Sequence, residues 1–234
     1  MARIEAVLLD VGGVFILPEH DRIGSALERA GVIADPSDFD RAHYLGVANL
    51  DHFVEGDREI WQAYNRAYAR ACGADEEHVA DAVEALLNEF TVAEVWTRIV
   101  PGSTAALGRI ADLGVKLAIV SNADGTVEEQ LRSDGICQVG PGRGVPVDTV
   151  LDSTVVGVAK PDPEIFEIAL DRIGISADRA IHVGDTPAAD VAGARAAGVR
   201  PVLIDPYDFH AHLEVDRVRS LAEVVELVGR DRTP

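Results

Sequence analysis

Four places in the chain put polar side chains where apolar runs stop or helices begin. Asp10 follows IEAVLL (4–9), Ser121 follows VKLAIV (115–120), Lys160 precedes Pro161-Asp162-Pro163, and Asp185 and Asp190 stand in GDTPAAD (184–190). Taken singly, each has an ordinary reading. A strand-end aspartate forms turns or caps helices, Ser121-Asn122 can cap the helix that follows, and a lysine before a proline is commonly solvated. Taken together they meet the needs of phosphoryl transfer, which asks for a nucleophile, a cation against developing charge, and donors for the equatorial oxygens. An acidic strand end, a hydroxyl strand end, a lysine and a second acidic strand end supply those parts in chain order.

These groups can meet only if the apolar runs are neighbouring strands. Residues 4–9 read as a fully buried parallel strand that stops at Asp10 and Gly12-Gly13, and 115–120, 180–183 and 201–204 repeat the design, with 147–151 a weaker fifth. Helical segments alternate with them over 103–113, 126–133, 163–173, 188–197 and 220–228. Asp162 can cap a helix with Pro163 at its first position, and Gly114, Gly174 and Gly198 sit where left-handed residues end helices. The alternation predicts right-handed crossovers and an α/β architecture. It is a Rossmann-like, mostly parallel sheet flanked by helices, with ligands bound beyond its carboxyl edge.

Between Pro18 and Trp96 the alternation gives way to helical stretches at 22–30, 39–49, 58–71 and 76–90. This predicts an all-helical cap domain over 18–96, inserted into a core made of 1–17 and 97–234, with hinges near Pro18 and between Trp96 and Gly102. The run Gly140-Pro141-Gly142-Arg143-Gly144 lacks the lysine and the spacing of a phosphate-binding loop and reads as a surface loop.

Composition narrows the partners. The 234 residues are 47% hydrophobic, enough for a sizeable core, and 40 acidic against 21 basic residues give a net charge of −19. That charge opposes docking on nucleic acid or anionic lipid, although one bound cation and one lysine can invert the potential locally for a small phosphorylated substrate. Cys72 and Cys137 have no metal-ligand spacing and fit a reducing compartment. The first 18 residues read as a strand instead of a leader, and no stretch approaches the ~20 apolar residues of a membrane span, so a cytoplasmic protein is expected. No apolar stripe chooses between monomer and homodimer.

The motifs LLDVGGV (8–14), IVSNAD (119–124), VAKPDPEIF (158–166) and HVGDTPAADVAGARAAG (182–198) resemble those of the haloacid dehalogenase-like hydrolases, in the subgroup whose helical cap follows the first motif. The resemblance also takes in PGSTAALGRIADLGVKLAIVSN (101–122) and so spans nearly the whole chain. It implies that Asp10 is the nucleophile forming an aspartyl phosphate. Asp10, Asp185 and the Gly12 carbonyl would hold Mg²⁺, and Asp190 would orient a metal water or Lys160. Lys160 would neutralise the nucleophile and the phosphoryl group. Ser121, Asn122, Gly13 and Lys160 would contact the substrate.

One position departs from the pattern. The family's phosphatases usually carry a second aspartate two residues after the nucleophile, as general acid and base, and here that residue is Gly12. Either a neighbour substitutes, with His20 and Glu19 the candidates, or the chain is a weakened or non-catalytic binder of a phosphorylated ligand. Dehalogenation of a carbon–halide substrate has less support, because the dehalogenases carry a bulky aromatic at that position. A signalling receiver domain, which also has an acceptor aspartate, a hydroxyl strand end and a lysine, is about half this length and has no helical insert. The cap's His43, Tyr44, His52, Trp61 and Tyr64 read as packing residues before substrate contacts.

Overall fold

A computed structural model describes residues 3–50, 58–92 and 95–230. Its centre is β1 (Ala6–Leu9), whose four residues are all buried, as expected of a strand covered on both faces. On one side β1 pairs in parallel with β4 (Lys116–Ser121), and β4 with β7 (Thr149–Asp152). On the other side it pairs with β8 (Ala180–Gly184), which continues to β9 (Arg200–Ile204) and β10 (Asp216–Val218). The six strands run in the order β10-β9-β8-β1-β4-β7, all parallel. The chain first moves outward from β1 through β4 to β7 and then returns to β8, so the order reverses between β1 and β8. The crevice beyond a reversal of this kind is where open α/β sheets bind ligands.

The flanking helices are α5 (Ser103–Asp112), α6 (Val127–Ser133), α7 (Ser153–Val156), α8 (Glu164–Ile173), α9 (Ala192–Ala196) and α10 (Leu221–Arg230). One apolar cluster on one face of the sheet includes Leu107, Ile110 and Val224, and a second on the other includes Phe166, Ala169 and Ala194. The helix expected over 188–197 is interrupted. Pro187–Val191 form a π-helical turn before α9 begins, and that turn brings Asp190 back against the Thr186 backbone, whose N–H donates to its Oδ2 at 2.9 Å. The glycine run at 140–144 is the loop between two short parallel strands, β5 (Cys137–Val139) and β6 (Val145–Val147), and Gln138 staples it through the Gly144 N–H and carbonyl.

The chain leaves the core through β2 (Ile16–Pro18) and re-enters through β3 (Trp96–Ile99), and the two form an antiparallel ribbon. Between them lie the inserted helices α1 (His20–Arg29), α2 (Phe39–Val47), α3 (Arg58–Ala71) and α4 (Val79–Phe90). They have an apolar core of their own, with Tyr64, Tyr68 and Leu86 fully enclosed. α4 starts three residues later than its apolar pattern suggests, because the Asp75 carboxylate accepts from the Glu77 and His78 N–H groups and holds 75–78 as a turn. Among the described residues no helix is long and apolar enough to cross a membrane.

Candidate active site

Asp10, Ser121 and Asp185 arrive together because they end or follow three adjacent strands, β1, β4 and β8. Lys160 comes from the loop before α8 and is fixed by Asn122. That amide accepts from the Lys160 N–H at 2.8 Å and donates to its carbonyl at 2.9 Å. The Lys160 ammonium lies 2.7 Å from Asp10 Oδ1 and 2.7 Å from Asp190 Oδ1, and the lysine is only 2% exposed. Asp190 is further held by His182, whose Nε2–H donates to Oδ1 at 2.9 Å.

These contacts partition the charge. Burial disfavours the Lys160 ammonium, yet Asp10 and Asp190 together hold its pKa above the ordinary value. Burial opposes ionisation of Asp190 too, but Lys160 and then His182 hold its carboxyl well below the usual range. Asp10 shares the ammonium without the other donors. Burial pushes its carboxyl up, Lys160 pulls it down, Asp190 and Asp185 push it up again, and it stands at about 7. Asp10 is therefore the carboxylate whose charge a further cation would complete.

The ligand atoms of Asp10, Asp185 and Asp190 lie within 4.8 Å of one another and all three residues are buried. Three buried carboxylates stand about one ammonium, which Asp10 and Asp190 share, and that excess of negative charge in an oxygen-only donor set suits a hard divalent cation. Both Asp190 oxygens are taken by Lys160, His182 and Thr186, so Asp10 and Asp185 are the better placed donors.

Gly13 and Gly12 play unlike parts. Gly13 has φ +65°, and a Cβ there would fall 2.0 Å from Asp185 Oδ2, so glycine is what lets Asp185 reach the site. Gly13, which the resemblance places against the substrate, gives its N–H to the Ile16 carbonyl at 3.0 Å and is not among the residues lining the cavity. Gly12 does line the cavity, and a Cβ built on it meets nothing within 4 Å.

Glu19 and His20, the expected substitutes for the missing acid, are elsewhere. His20 opens α1 with its Nε2 on Asp40 Oδ1 at 2.9 Å, and the Glu19 N–H donates to the Val95 carbonyl at 2.7 Å. Neither lines the cavity. Helix α2 turns them away and presents His43 instead. The His43 Nε2–H donates to Asp185 Oδ2 at 3.0 Å, and its Nδ1 accepts from the Tyr64 hydroxyl at 2.9 Å. The next residue, Tyr44, donates to the Gly13 carbonyl at 2.7 Å. Consecutive residues of one helix thus bind the insertion to the sheet edge. Trp61 and Tyr64 also line the cavity, while His52 lies outside the described residues.

The enclosed space is about 330 Å³. Its floor is Asp10, Ser121, Lys160 and Asp185, and its roof comes from the insertion. Fold and site together define a class: a capped α/β enzyme with its reactive groups at the carboxyl edge of a parallel sheet. The chain belongs to the haloacid dehalogenase-like hydrolase family, whose family model matches residues 4–198.

Among its relatives, the haloacid dehalogenase-like hydrolase domain-containing protein 3 of Danio rerio is 30% identical over 213 residues, covering 87% of this chain and 85% of that protein. Matches to the Xenopus laevis and Bos taurus proteins of that name span 51% and 53% of them, about half their length. A phosphoserine phosphatase of Thermus thermophilus is 37% identical over 128 residues, 53% of this chain and 49% of that one. In fold the chain is similar to an HAD phosphatase from Thermococcus onnurineus, with TM-score 0.59 and 22% identity over 98% of this chain and 100% of that one. It is also similar to a magnesium-bound HAD-hydrolase from Bacillus subtilis, with TM-score 0.57 and 20% identity over 97% and 100%.

Proposed function

We propose that the protein is a Mg²⁺-dependent phosphatase of a small phosphorylated metabolite, working through an aspartyl phosphate on Asp10 beneath a cap formed by residues 18–96. The observation that carries this reading is the buried Lys160 ammonium, 2.7 Å from Asp10 and 2.7 Å from Asp190, with Asp185 alongside on the floor of the cavity. The phosphoserine phosphatase relative and the magnesium in the Bacillus subtilis structure agree with it.

In the first half-reaction an Asp10 carboxylate oxygen attacks phosphorus, the ester P–O bond breaks, and the alcohol oxygen leaves with its electron pair and takes up a proton. In the second, water attacks the same phosphorus, the bond to Asp10 breaks, one proton is lost and phosphate leaves. Lys160, steadied by the Asn122 clamp, neutralises charge on Asp10 and the transferring group, and Ser121 and Asn122 donate to phosphoryl oxygens. Asp10, Asp185 and the Gly12 carbonyl would hold Mg²⁺, which when bound offsets the carboxylates and polarises the phosphoryl group. Asp190 acts through Lys160. The cap excludes water.

Two other readings fare worse. A non-catalytic binder would keep such a nucleophile, lysine and acidic pair to no purpose. Displacement of halide has less support because Gly12 stands where the dehalogenases carry a bulky aromatic. The direct test is hydrolysis of 4-nitrophenyl phosphate, whose leaving group departs without a proton. Turnover is expected with Mg²⁺ and is lost on chelation, and turnover unchanged by chelation would remove the metal from the reading.

Gly12 supplies no acid, so esters of ordinary alcohols react more slowly than the nitrophenyl ester. The open space at Gly12 means that Gly12→Asp fits, and the variant is expected to speed hydrolysis of alkyl phosphates by ~10-fold or more, with little gain on 4-nitrophenyl phosphate. Equal gains on both ester types would show that the new carboxylate acts otherwise than as an acid.

A further inference from the structure

The roof of the cavity differs in kind from its floor. Beside His43 and Thr91, the insertion contributes Val47, Leu50, Trp61, Tyr64, Phe90 and Trp96 to it. The rings form a continuous surface, with centroids 5.4 Å apart for Trp61 and Tyr64, 5.5 Å for Tyr64 and Phe90, and 5.6 Å for Phe90 and Trp96. The Tyr64 hydroxyl is turned to His43, so that part of the roof spends its polar atom within the protein.

Among the described residues that line the cavity, Lys160 is the sole lysine or arginine, and Asp10 and Asp190 already share it at the floor. Of the arginines with described side chains that stand nearest in sequence to lining residues, Arg41 lies over the Phe209 ring, Arg66 is exposed and Arg98 pairs with Asp40. A carboxylate or second phosphate on the substrate would therefore enter a mainly apolar chamber where the described lining offers no lysine or arginine beyond Lys160, beside a floor already rich in carboxylates. Burying an unpaired charge is strongly unfavourable.

Building on the phosphatase reading, we infer that the substrate is a phosphate monoester whose ester group is uncharged and apolar, of about the size of one aromatic ring. The phosphoryl group takes the acidic, metal-binding end, and the rest packs between the Trp61, Phe90 and Trp96 rings. The volume of 330 Å³ sits at the small end of the ~300–1,000 Å³ range of small-molecule sites. The recognition thus departs from that of a phosphoserine phosphatase, whose substrate carries an ammonium and a carboxylate.

The test compares kcat/KM for benzyl phosphate and phosphoglycolate, both of which release a primary alkoxide and so make the same demand for a proton. Benzyl phosphate is expected to be favoured by the order of 100-fold or more. Equal rates, or a preference for phosphoglycolate, would overturn the inference while leaving the phosphatase reading intact. If no ester is hydrolysed, 4-nitrophenyl phosphate included, the phosphatase reading fails by itself. The pocket is then read by calorimetry with 2-phenylethylphosphonate and 2-carboxyethylphosphonate, where tighter binding of the first, by ~10-fold or more, supports the apolar site and equal affinity overturns it. Trp61→Arg sharpens the comparison. A cation in the roof is expected to move the ester preference toward phosphoglycolate by ~10-fold, whereas mere structural damage would depress both rates together.

Discussion

Asp10→Asn is expected to abolish hydrolysis of 4-nitrophenyl phosphate, with a loss of at least ~10³-fold in kcat. The amide cannot form the covalent phosphoryl intermediate, and the leaving group of this ester needs no proton, so the measurement isolates the nucleophile from the question raised by Gly12. The fold should survive. Asparagine keeps the shape of the side chain, and Lys160 keeps its contact with Asp190 at 2.7 Å. Burial first, and then repulsion from Asp190 and Asp185, push the Asp10 carboxyl up to about 7, and removing that charge relieves both. A thermal melt run beside the assay separates a chemical loss from an unfolded sample. Turnover in Asp10→Asn close to that of the unaltered chain would take the nucleophile away from this residue.

Lys160→Met should be costly twice over. The lysine is 2% exposed and is the ammonium to which both Asp10 and Asp190 are paired. Methionine fills much of the space but leaves those carboxylates buried without it, and removing one member of a buried ionic network costs ~3–5 kcal/mol. For a chain of this length that corresponds to a fall in Tm of roughly 6–20 °C. Activity should fall by ~10²-fold or more, because the charge on the transferring phosphoryl group loses a fixed cation. Added Mg²⁺ is expected to recover part of the lost Tm and little of the activity, since a metal on Asp10 and Asp185 offsets charge without standing where the ammonium stood. Full stability in metal-free Lys160→Met would mean that the carboxylates take up protons at little cost and that the lysine is not what holds the site together.

Much of the cavity floor was legible in the linear chain. A strand covered on both faces is mostly apolar, so β1, β4 and β8 show as near-continuous apolar runs broken only by Lys116 at the exposed start of β4 and by the buried His182. The polar residues that stop them, Asp10, Ser121 and Asp185, are marked as the carboxyl edge of a sheet before any coordinates exist. Lys160 and Asp190 were visible through their proline- and glycine-bounded surroundings, and the helical insertion through the loss of strand-helix alternation between Pro18 and Trp96.

The roof was not legible in that way. His43 meets Asp185, 142 residues further along the chain, because α2 docks over the sheet edge, and nothing in the local pattern of α2 separates a histidine facing the cavity from one facing solvent. The same docking leaves His20 on Asp40, despite its nearness in sequence to the nucleophile. The Asn122 clamp, the π-helical turn that aims Asp190, and the engagement of the Gly13 N–H by Ile16 are likewise contacts between backbone and side chains whose geometry arises only when the sheet is assembled. Residue types and hydrophobic periodicity determined which groups stand at the edge of the sheet. Which of them share a proton donor, and what surface faces them across the cavity, was decided by the packing of two separate apolar cores against each other, a long-range arrangement that local spacing does not encode.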